Sequence, residues 1–234
     1  MEISKTVMDG AKAYMFNLLT YHLPKTICYH TLEHTMNVFE AVGTIAGHMD
    51  LDENEKDILR LAALLHDSGF VSIPKEHERI SVLIANSYLK HNNVPVKIRN
   101  KVADCIMATK LGSVPKDDLE SVMQDADMFH ISMDGYWRYN GLLRKELNQL
   151  YGLKFGDGEW FANNLEFLQG HEFRTGYGKQ YLEWDKQNRI KENGEIREKL
   201  LKGEARTLWS IEQSASPSLK AATIVLNSGC QIAI

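Results

Sequence analysis

Cysteine is scarce in this chain of 234 residues, and the few cysteines form no recognisable pattern. Cys28, Cys105 and Cys230 are odd in number and far apart, which argues against a disulfide framework and favours a reducing, cytoplasmic setting. No Cys-x-x-Cys pair occurs in the sequence, so a zinc site built from thiolates is not expected.

Long apolar runs and an excess of positive charge are also missing. No stretch approaches the roughly 20 apolar residues of a transmembrane helix, and residues 1–16 lack the basic and then apolar order of a signal peptide. The net charge of −4 offers no general basic field for a long nucleic acid or a membrane surface. We therefore expect a cytoplasmic protein with a small-molecule partner, present as a monomer or a homodimer.

Proline is sparse as well, and no linker rich in Pro, Gly and Ser divides the middle of the chain. This predicts one domain over residues 1–212, with a core at 22–135 and a helical extension at 136–212. Residues 213–234 change to a Ser- and Ala-rich and then β-prone sequence, which predicts a disordered or docked tail.

Apolar residues recur at helical spacing almost throughout, and no long alternation at period two indicates a sheet. The pattern predicts an all-α fold, a helical bundle with additional C-terminal helices. In its first half, helices are predicted at about 31–49, 52–65, 76–91, 95–111 and 115–127. Asp52 is predicted to cap the second of these with Glu55 in a capping box, and that helix is apolar nearly all round, as in a core.

The segment YHTLEHTMNV, residues 29–38, holds the first candidates for a metal site. His30 and His34 are four apart, so on a helix they would share one face and can serve one metal ion. Taken alone, two surface or capping histidines are an equally good interpretation. Glu33 precedes the second histidine, so this is not the HExxH motif of zinc proteases.

The segment ALLHDSGF, residues 63–70, places His66 and Asp67 side by side at the end of the apolar helix. Both side chains need partners in such a desolvated place. Asp67 could cap the next turn while His66 bonds a carbonyl, but a metal ion that binds both explains the pair better. Gly69 then allows a sharp exit of the chain.

A last carboxylate comes from MQDADMFH, residues 123–130, through Asp125 or Asp127. Alone, this segment is better explained as a solvated acidic turn. Together with a histidine of the first segment and the His66-Asp67 pair, it completes a set of nitrogen and oxygen ligands. Such a set suits Mn, Fe, Zn, Ni or Co, with Mg as a further candidate.

In the order and spacing of these motifs, over about residues 22–135, the chain resembles the HD superfamily of metal-dependent phosphohydrolases. The resemblance is carried by YHTLEHT, LAALLHDSGF, the His-Glu pair at 77–78 and the DAD at 125–127. It implies an HD-type helical bundle and a divalent metal cofactor. It also implies hydrolysis of a phosphate ester in a small phosphorylated substrate, a nucleotide or a cyclic nucleotide.

The resemblance also implies roles for individual residues. The metal ligands are then His34, His66, Asp67 and Asp127. Asp125 is the fallback for the last ligand, and Asp67 would also touch the attacking water. His30 matches the histidine of the phosphodiesterase pattern YHxxxH, which protonates the leaving oxygen.

Further residues are candidates for substrate binding. His77 and Glu78 match a position beside the metal, or at a second metal, in some branches of the superfamily. Lys110 belongs to MATK, a motif shared with a group of small bacterial HD proteins, and could meet a substrate phosphate or equally stabilise a helix C-terminus. Arg79 could also bind the anion, although a solvated side chain is the simpler interpretation.

Two other functions compete with hydrolysis. A diiron oxidase of the HD fold needs further histidines, but Thr109 and Lys110 stand where one of them is expected. A sensor that binds nucleotides without turnover is less expected, because the ligand set is complete. The segment HEFRTGYGK, residues 171–179, could close over a nucleotide, although a surface loop explains it better.

Overall fold

The structure, a computed structural model, describes residues 3–203, and the structural statements below refer to that range. It contains α-helices and no strand there, which confirms the predicted all-α class. The α-helices are α1 (Lys5–His22), α2 (Leu32–Ala46), α3 (Glu53–Leu65), α4 (His77–His91), α5 (Val96–Ala108), α6 (Asp118–Asp127), α7 (Tyr136–Tyr151), α8 (Asp157–Gly170) and α9 (Glu183–Leu201). The predicted tail at 213–234 lies outside the described residues.

The backbone contacts divide the chain into two compact units. The first comprises the described residues up to Phe129 together with Phe173–Lys179. The second comprises His130–Glu172 and the described residues from Gln180 onward. The single domain predicted over residues 1–212 stays a prediction.

Helix α3 lies at the centre of the first unit, where it packs against α1, α2, α5 and α6. Its residues from Leu61 to Leu65 are all buried, as predicted from their apolar character, and each fully buried leucine stabilises the fold by about 2 kcal/mol relative to exposure. The predicted capping box is present, because the Asp52 carboxylate accepts from Glu55 N at 2.8 Å and Glu55 accepts from Asp52 N at 2.9 Å. This well-anchored helix ends directly at His66.

The helix starts in this half of the chain agree with the predicted ones to within one residue, except that of α6. Helix α2 begins at Leu32 with Thr31 as its N-cap, so His30 lies before the helix and the helical face that it could have shared with His34 is not formed. Helix α6 begins at Asp118, because the carboxylate of Asp117 accepts from Glu120 N at 3.0 Å and caps the helix there.

The second unit buries a network of neutral polar side chains between helices α7 and α8. Tyr136 Oη and Asn140 Nδ2 both donate to Asn164 Oδ1, at 2.9 Å and 2.8 Å. Trp160 Nε1 donates to Asn140 Oδ1 at 2.7 Å. No helix within residues 3–203 is long and apolar enough to cross a membrane.

Candidate metal centre

The end of α3 sets the orientation of the first ligand candidate. His66 is fully buried, and its Nδ1 lies 2.9 Å from the carbonyl oxygen of Ala63. A proton on Nδ1 is therefore donated to the backbone, which leaves Nε2 free to face the site. Metal-binding histidines are commonly held by such a bond on the opposite ring nitrogen. The hydrogen bond from His66 to a backbone carbonyl is thus compatible with a role as metal ligand, although the sequence offered the two as alternatives.

The chain leaves α3 through a tight 3-10 turn, Ser68–Val71, that packs against the start of α4. A Cβ at Gly69 would lie only 2.1 Å from the carbonyl oxygen of His77, and Gly69 N donates to Ser81 Oγ at 2.8 Å. Glycine is therefore required here for the close approach of two backbones. This contact brings His77 beside Asp67.

Four side chains from three parts of the first unit converge. His34 of α2 places Nε2 3.1 Å from Asp127 Oδ1, at the end of α6, and 3.3 Å from Asp67 Oδ2. His66 Nε2 lies 3.1 Å from Asp67 Oδ2 and 3.3 Å from His34 Nε2. The side chains are 4% exposed for His34, 1% for His66, 3% for Asp67 and 16% for Asp127, so the cluster is shielded from solvent.

The arrangement fits a cation better than it fits hydrogen bonds alone. One ligand atom each from His34, His66 and Asp127 lies within 4.8 Å of the others, which is compact enough to surround one ion. Asp67 Oδ2 is buried and has no hydrogen bond of good geometry, although two imidazole nitrogens are near it. A buried carboxylate oxygen in that state is costly, and a metal ion would satisfy it.

The protonation of the cluster follows from its charges. Burial by itself lowers the pKa of His34, but Asp127 and Asp67 outweigh it and raise that pKa to about 8. The same carboxylates raise the pKa of His66 well above its ordinary value despite burial. Burial raises the pKa of Asp67 and Asp127, yet the neighbouring histidines hold both pKa values below their ordinary range. Without metal, protonated imidazoles balance the charge of these carboxylates, and a metal ion has to displace those protons.

Asp125, the fallback ligand, is engaged elsewhere. Its carboxylate accepts from the backbone N of Arg174 and of Thr175, each at 2.8 Å, and from Thr175 Oγ1 at 2.7 Å. A Cβ at Gly178 would lie 2.4 Å from Asp125 Oδ2, so the segment packs tightly on the carboxylate. Asp125 therefore anchors the segment 173–179, while Asp127 faces the histidines.

His30 is held at the edge of the cluster by aromatic rings. It stacks on Phe70 with the ring centroids 4.1 Å apart, and its ring lies 5.7 Å from that of His34. Tyr29 contacts both histidines and is itself buried. The sequence interpretation missed Tyr29 and Phe70, although both stand inside the quoted motifs.

His77 approaches the cluster from α4. Its Nε2 lies 3.4 Å from Asp67 Oδ1 and 3.8 Å from Glu78 Oε1, while Nδ1 lies 3.1 Å from the carbonyl oxygen of Pro74. Burial lowers the pKa of His77, but Asp67 raises it overall. Glu76, just before α4, adopts a left-handed φ of 60°, which is strained for a residue with a side chain.

The two predicted anion-binding cations are exposed. Arg79 forms an ion pair with Glu76 at 3.5 Å, and its side chain is 68% exposed. Lys110 lies in the loop after α5 and is also exposed. The structure thus gathers His30, His34, His66, Asp67, His77 and Asp127 and leaves these two cations at the surface.

An all-helical unit with a buried cluster of histidines and aspartates defines a candidate metal-binding protein. Residues 31–131 match the family model of the HD domain. The chain therefore has an HD domain, which confirms the superfamily expected from its motifs, and the four candidate ligands lie inside the matched region. HD domains are largely metal-dependent hydrolases. No curated protein and no solved structure matches the chain.

Proposed function

We propose that this protein is a metal-dependent phosphohydrolase that hydrolyses a phosphate ester of a nucleotide or a cyclic nucleotide. The proposal depends above all on the convergence of His34, His66, Asp67 and Asp127 inside an HD domain. The HD match supports the class of reaction. The choice of a nucleotide comes from the resemblance of the motifs.

The four convergent residues would hold one divalent ion, with Mn, Fe, Ni, Co or Zn favoured by the mixed ligands and Mg a further candidate. When bound, such an ion lowers the pKa of a coordinated water and polarises a phosphoryl oxygen. His66 is oriented for this by the carbonyl of Ala63. The shielding of the cluster strengthens its electrostatic interactions, because they act in a low dielectric.

The remaining residues would handle protons and charge. His30 is half-buried and fixed against Phe70, so it can donate a proton to the leaving oxygen and recover one from solvent. Asp67 would orient the attacking water and is itself oriented by His77, with Glu78 beside it. Lys110 or Arg79 would neutralise charge on the phosphoryl oxygens.

The test is release of phosphate or nucleoside from nucleoside monophosphates, triphosphates, and 2′,3′- and 3′,5′-cyclic forms. Metal-stripped protein is supplied with Mn, Ni, Co, Zn, Fe or Mg in turn, and an Asp67→Ala preparation serves as the blank. We expect turnover that depends on metal and disappears in the variant. No turnover with any metal, from protein that binds metal stoichiometrically, would contradict the proposal.

The same preparation tests the role of His30. His30→Gln should bind metal normally but turn over roughly 100-fold more slowly, since general acid catalysis contributes on the order of a hundredfold or more. A variant with the full rate would remove His30 from the mechanism.

A diiron oxidase is the second candidate, because His77 gives Asp67 a further histidine neighbour at 3.4 Å. Two irons per chain together with oxygen uptake would favour this function over hydrolysis. Tight nucleotide binding without turnover would instead favour a sensor.

A further inference from the structure

Gln124 and Asp127, in the last turns of α6, have different partners in the first unit. Asp127 faces the histidines of the metal centre. Gln124 points its amide at another part of the chain, where Nε2 donates to the carbonyl oxygens of Ala108 and Ser113, each at 2.9 Å. One side chain thus connects the end of α5 to the middle of the loop that follows it.

This loop is ordered by its own hydrogen bonds as well. Thr109 Oγ1 donates to the carbonyl oxygen of Ile106 at 2.8 Å, and Ser113 N donates to that of Lys110 at 2.9 Å. Gly112 has a φ of 84°, a left-handed conformation that suits glycine. The loop backbone is therefore fixed, while Lys110 extends an exposed side chain from it.

Gln124 and Asp127 are spaced to lie on the same face of α6, because residues three apart on a helix are neighbours. The rise between them is about 4.5 Å. The helix therefore fixes the distance between the loop and the metal centre. Lysine adds a long flexible stem that carries a compact positive charge.

We propose that Gln124 is a positioning residue, which holds the loop so that Lys110 meets the phosphoryl group at the metal centre. This inference rests on the proposed function and adds a residue to it. A local cation is needed there, because the chain has a net charge of −4 and no general attraction for an anion.

The experiment measures the affinity of the manganese-loaded full chain for inorganic phosphate by calorimetry. Lys110→Ala should weaken binding about tenfold, in keeping with the loss of a hydrogen bond to a charged group. Gln124→Met, which has a similar volume but cannot donate a hydrogen bond, should weaken phosphate binding several-fold when it is the only substitution. In the Lys110→Ala background, the same substitution should cause no further loss of affinity. Such non-additivity is expected only if Gln124 acts through Lys110.

Two controls accompany these variants. Lys116→Ala removes the same charge from an exposed position six residues further along and should leave phosphate affinity unchanged. Metal content should equal that of the wild type throughout, which separates an effect on the loop from one on Asp127. If Gln124→Met does not fold, Gln124→Glu replaces it, since a carboxylate cannot donate to either carbonyl.

Three results would overturn the inference: no phosphate binding by the metal-loaded wild type, unchanged binding by Lys110→Ala, or an equal loss from the Gln124 variant in both backgrounds. Its failure is distinct from failure of the proposed function, because phosphate binding requires no turnover. If the protein is an active phosphohydrolase but the variants bind phosphate as tightly as the wild type, the proposed function stands and the role of Gln124 is wrong. If the protein is inactive but the variants show the predicted pattern of phosphate affinities, the role of Gln124 stands and the proposed function is wrong.

Discussion

The neutral network of the second unit and the charged cluster of the first unit bury polar side chains in different ways. In the second unit, Asn164 accepts from Tyr136 and Asn140, so neutral donors meet acceptors at 2.8 to 2.9 Å, although Asn164 Nδ2 lacks a partner. In the first unit, the nearest neighbour of His66 Nε2 besides Asp67 is another imidazole nitrogen, at 3.3 Å. The neutral network is nearly complete by itself, whereas the charged cluster needs protons or a cation.

The comparison separates polar burial that stabilises a fold from polar burial that serves a ligand. Removing a member of the neutral network leaves buried partners without hydrogen bonds, so stability should fall. Removing a member of the charged cluster takes away a metal ligand and also a charge that stabilises its buried neighbours. The first kind of change should therefore act on unfolding alone, and the second on metal binding as well.

The largest effect is expected for Asp67→Asn. The amide keeps the shape of the side chain but removes the negative charge that two histidines face. Metal content, measured by mass spectrometry of the dialysed protein, should fall from stoichiometric to background. Activity should fall at least ~1000-fold, since the metal is expected to supply several kcal/mol of transition-state stabilisation.

The stability of the metal-free Asp67→Asn protein provides the control. Urea unfolding followed by circular dichroism should show a folded protein that is less stable than the metal-free wild type, because the buried histidines lose a carboxylate partner. A large loss of stability with metal retained would show that Asp67 holds the fold together, and the comparison between the units would fail.

The combination of motifs and their resemblance to the HD superfamily predicted a site with His34, His66, Asp67 and Asp127, and these side chains lie close together in the structure. The sequence was not sufficient to choose between Asp125 and Asp127. That choice depends on the segment 173–179, which supplies the partners of Asp125 from about fifty residues away in sequence. Helical spacing is local, so it carries no information about such a contact. For the same reason the sequence did not indicate that His30, which lies before α2, stacks on Phe70.

The next effect is a loss of stability on breaking the neutral network with Asn164→Ala. Tyr136 Oη and Asn140 Nδ2 would both lose their acceptor in a buried place. The free energy of unfolding should fall by about 2 to 3 kcal/mol, as measured by urea unfolding, while metal content stays unchanged. Gln187→Ala, which removes an exposed bond to Glu183, should cost less than about 0.5 kcal/mol. Equal losses in the two variants would contradict the importance of the network.

A smaller effect on stability is expected for Asp125→Asn. It compares Asp125, which anchors a segment of the fold, with the candidate ligand Asp127 on the same helix. The amide retains one acceptor but turns a donor towards the backbone N–H of Arg174 or Thr175. Burial already raises the pKa of Asp125 despite these bonds, so the folded state does not strongly favour the ionised carboxylate. The free energy of unfolding should therefore fall by only about 1 to 2 kcal/mol. Metal content should match the wild type, whereas Asp127→Asn should lose the metal. The reverse pattern would make Asp125 the ligand.

The smallest effect concerns a buried group outside both clusters, the thiol of Cys105 in α5. Burial raises the pKa of Cys105 from 9.0 to about 12. Since the folded state disfavours the thiolate, the stability that the protonated Cys105 thiol contributes is complete below pH 9 and is lost as the pH rises towards 12. Between pH 8 and pH 10 the wild type should therefore lose about 1.4 kcal/mol more than Cys105→Ala, measured by urea unfolding at each pH. Cys28→Ala, which removes the half-buried thiol, should retain that loss. An identical pH dependence in the wild type and Cys105→Ala would show that the thiol is not buried as strongly as the structure indicates, and that solvent reaches the core beside α5.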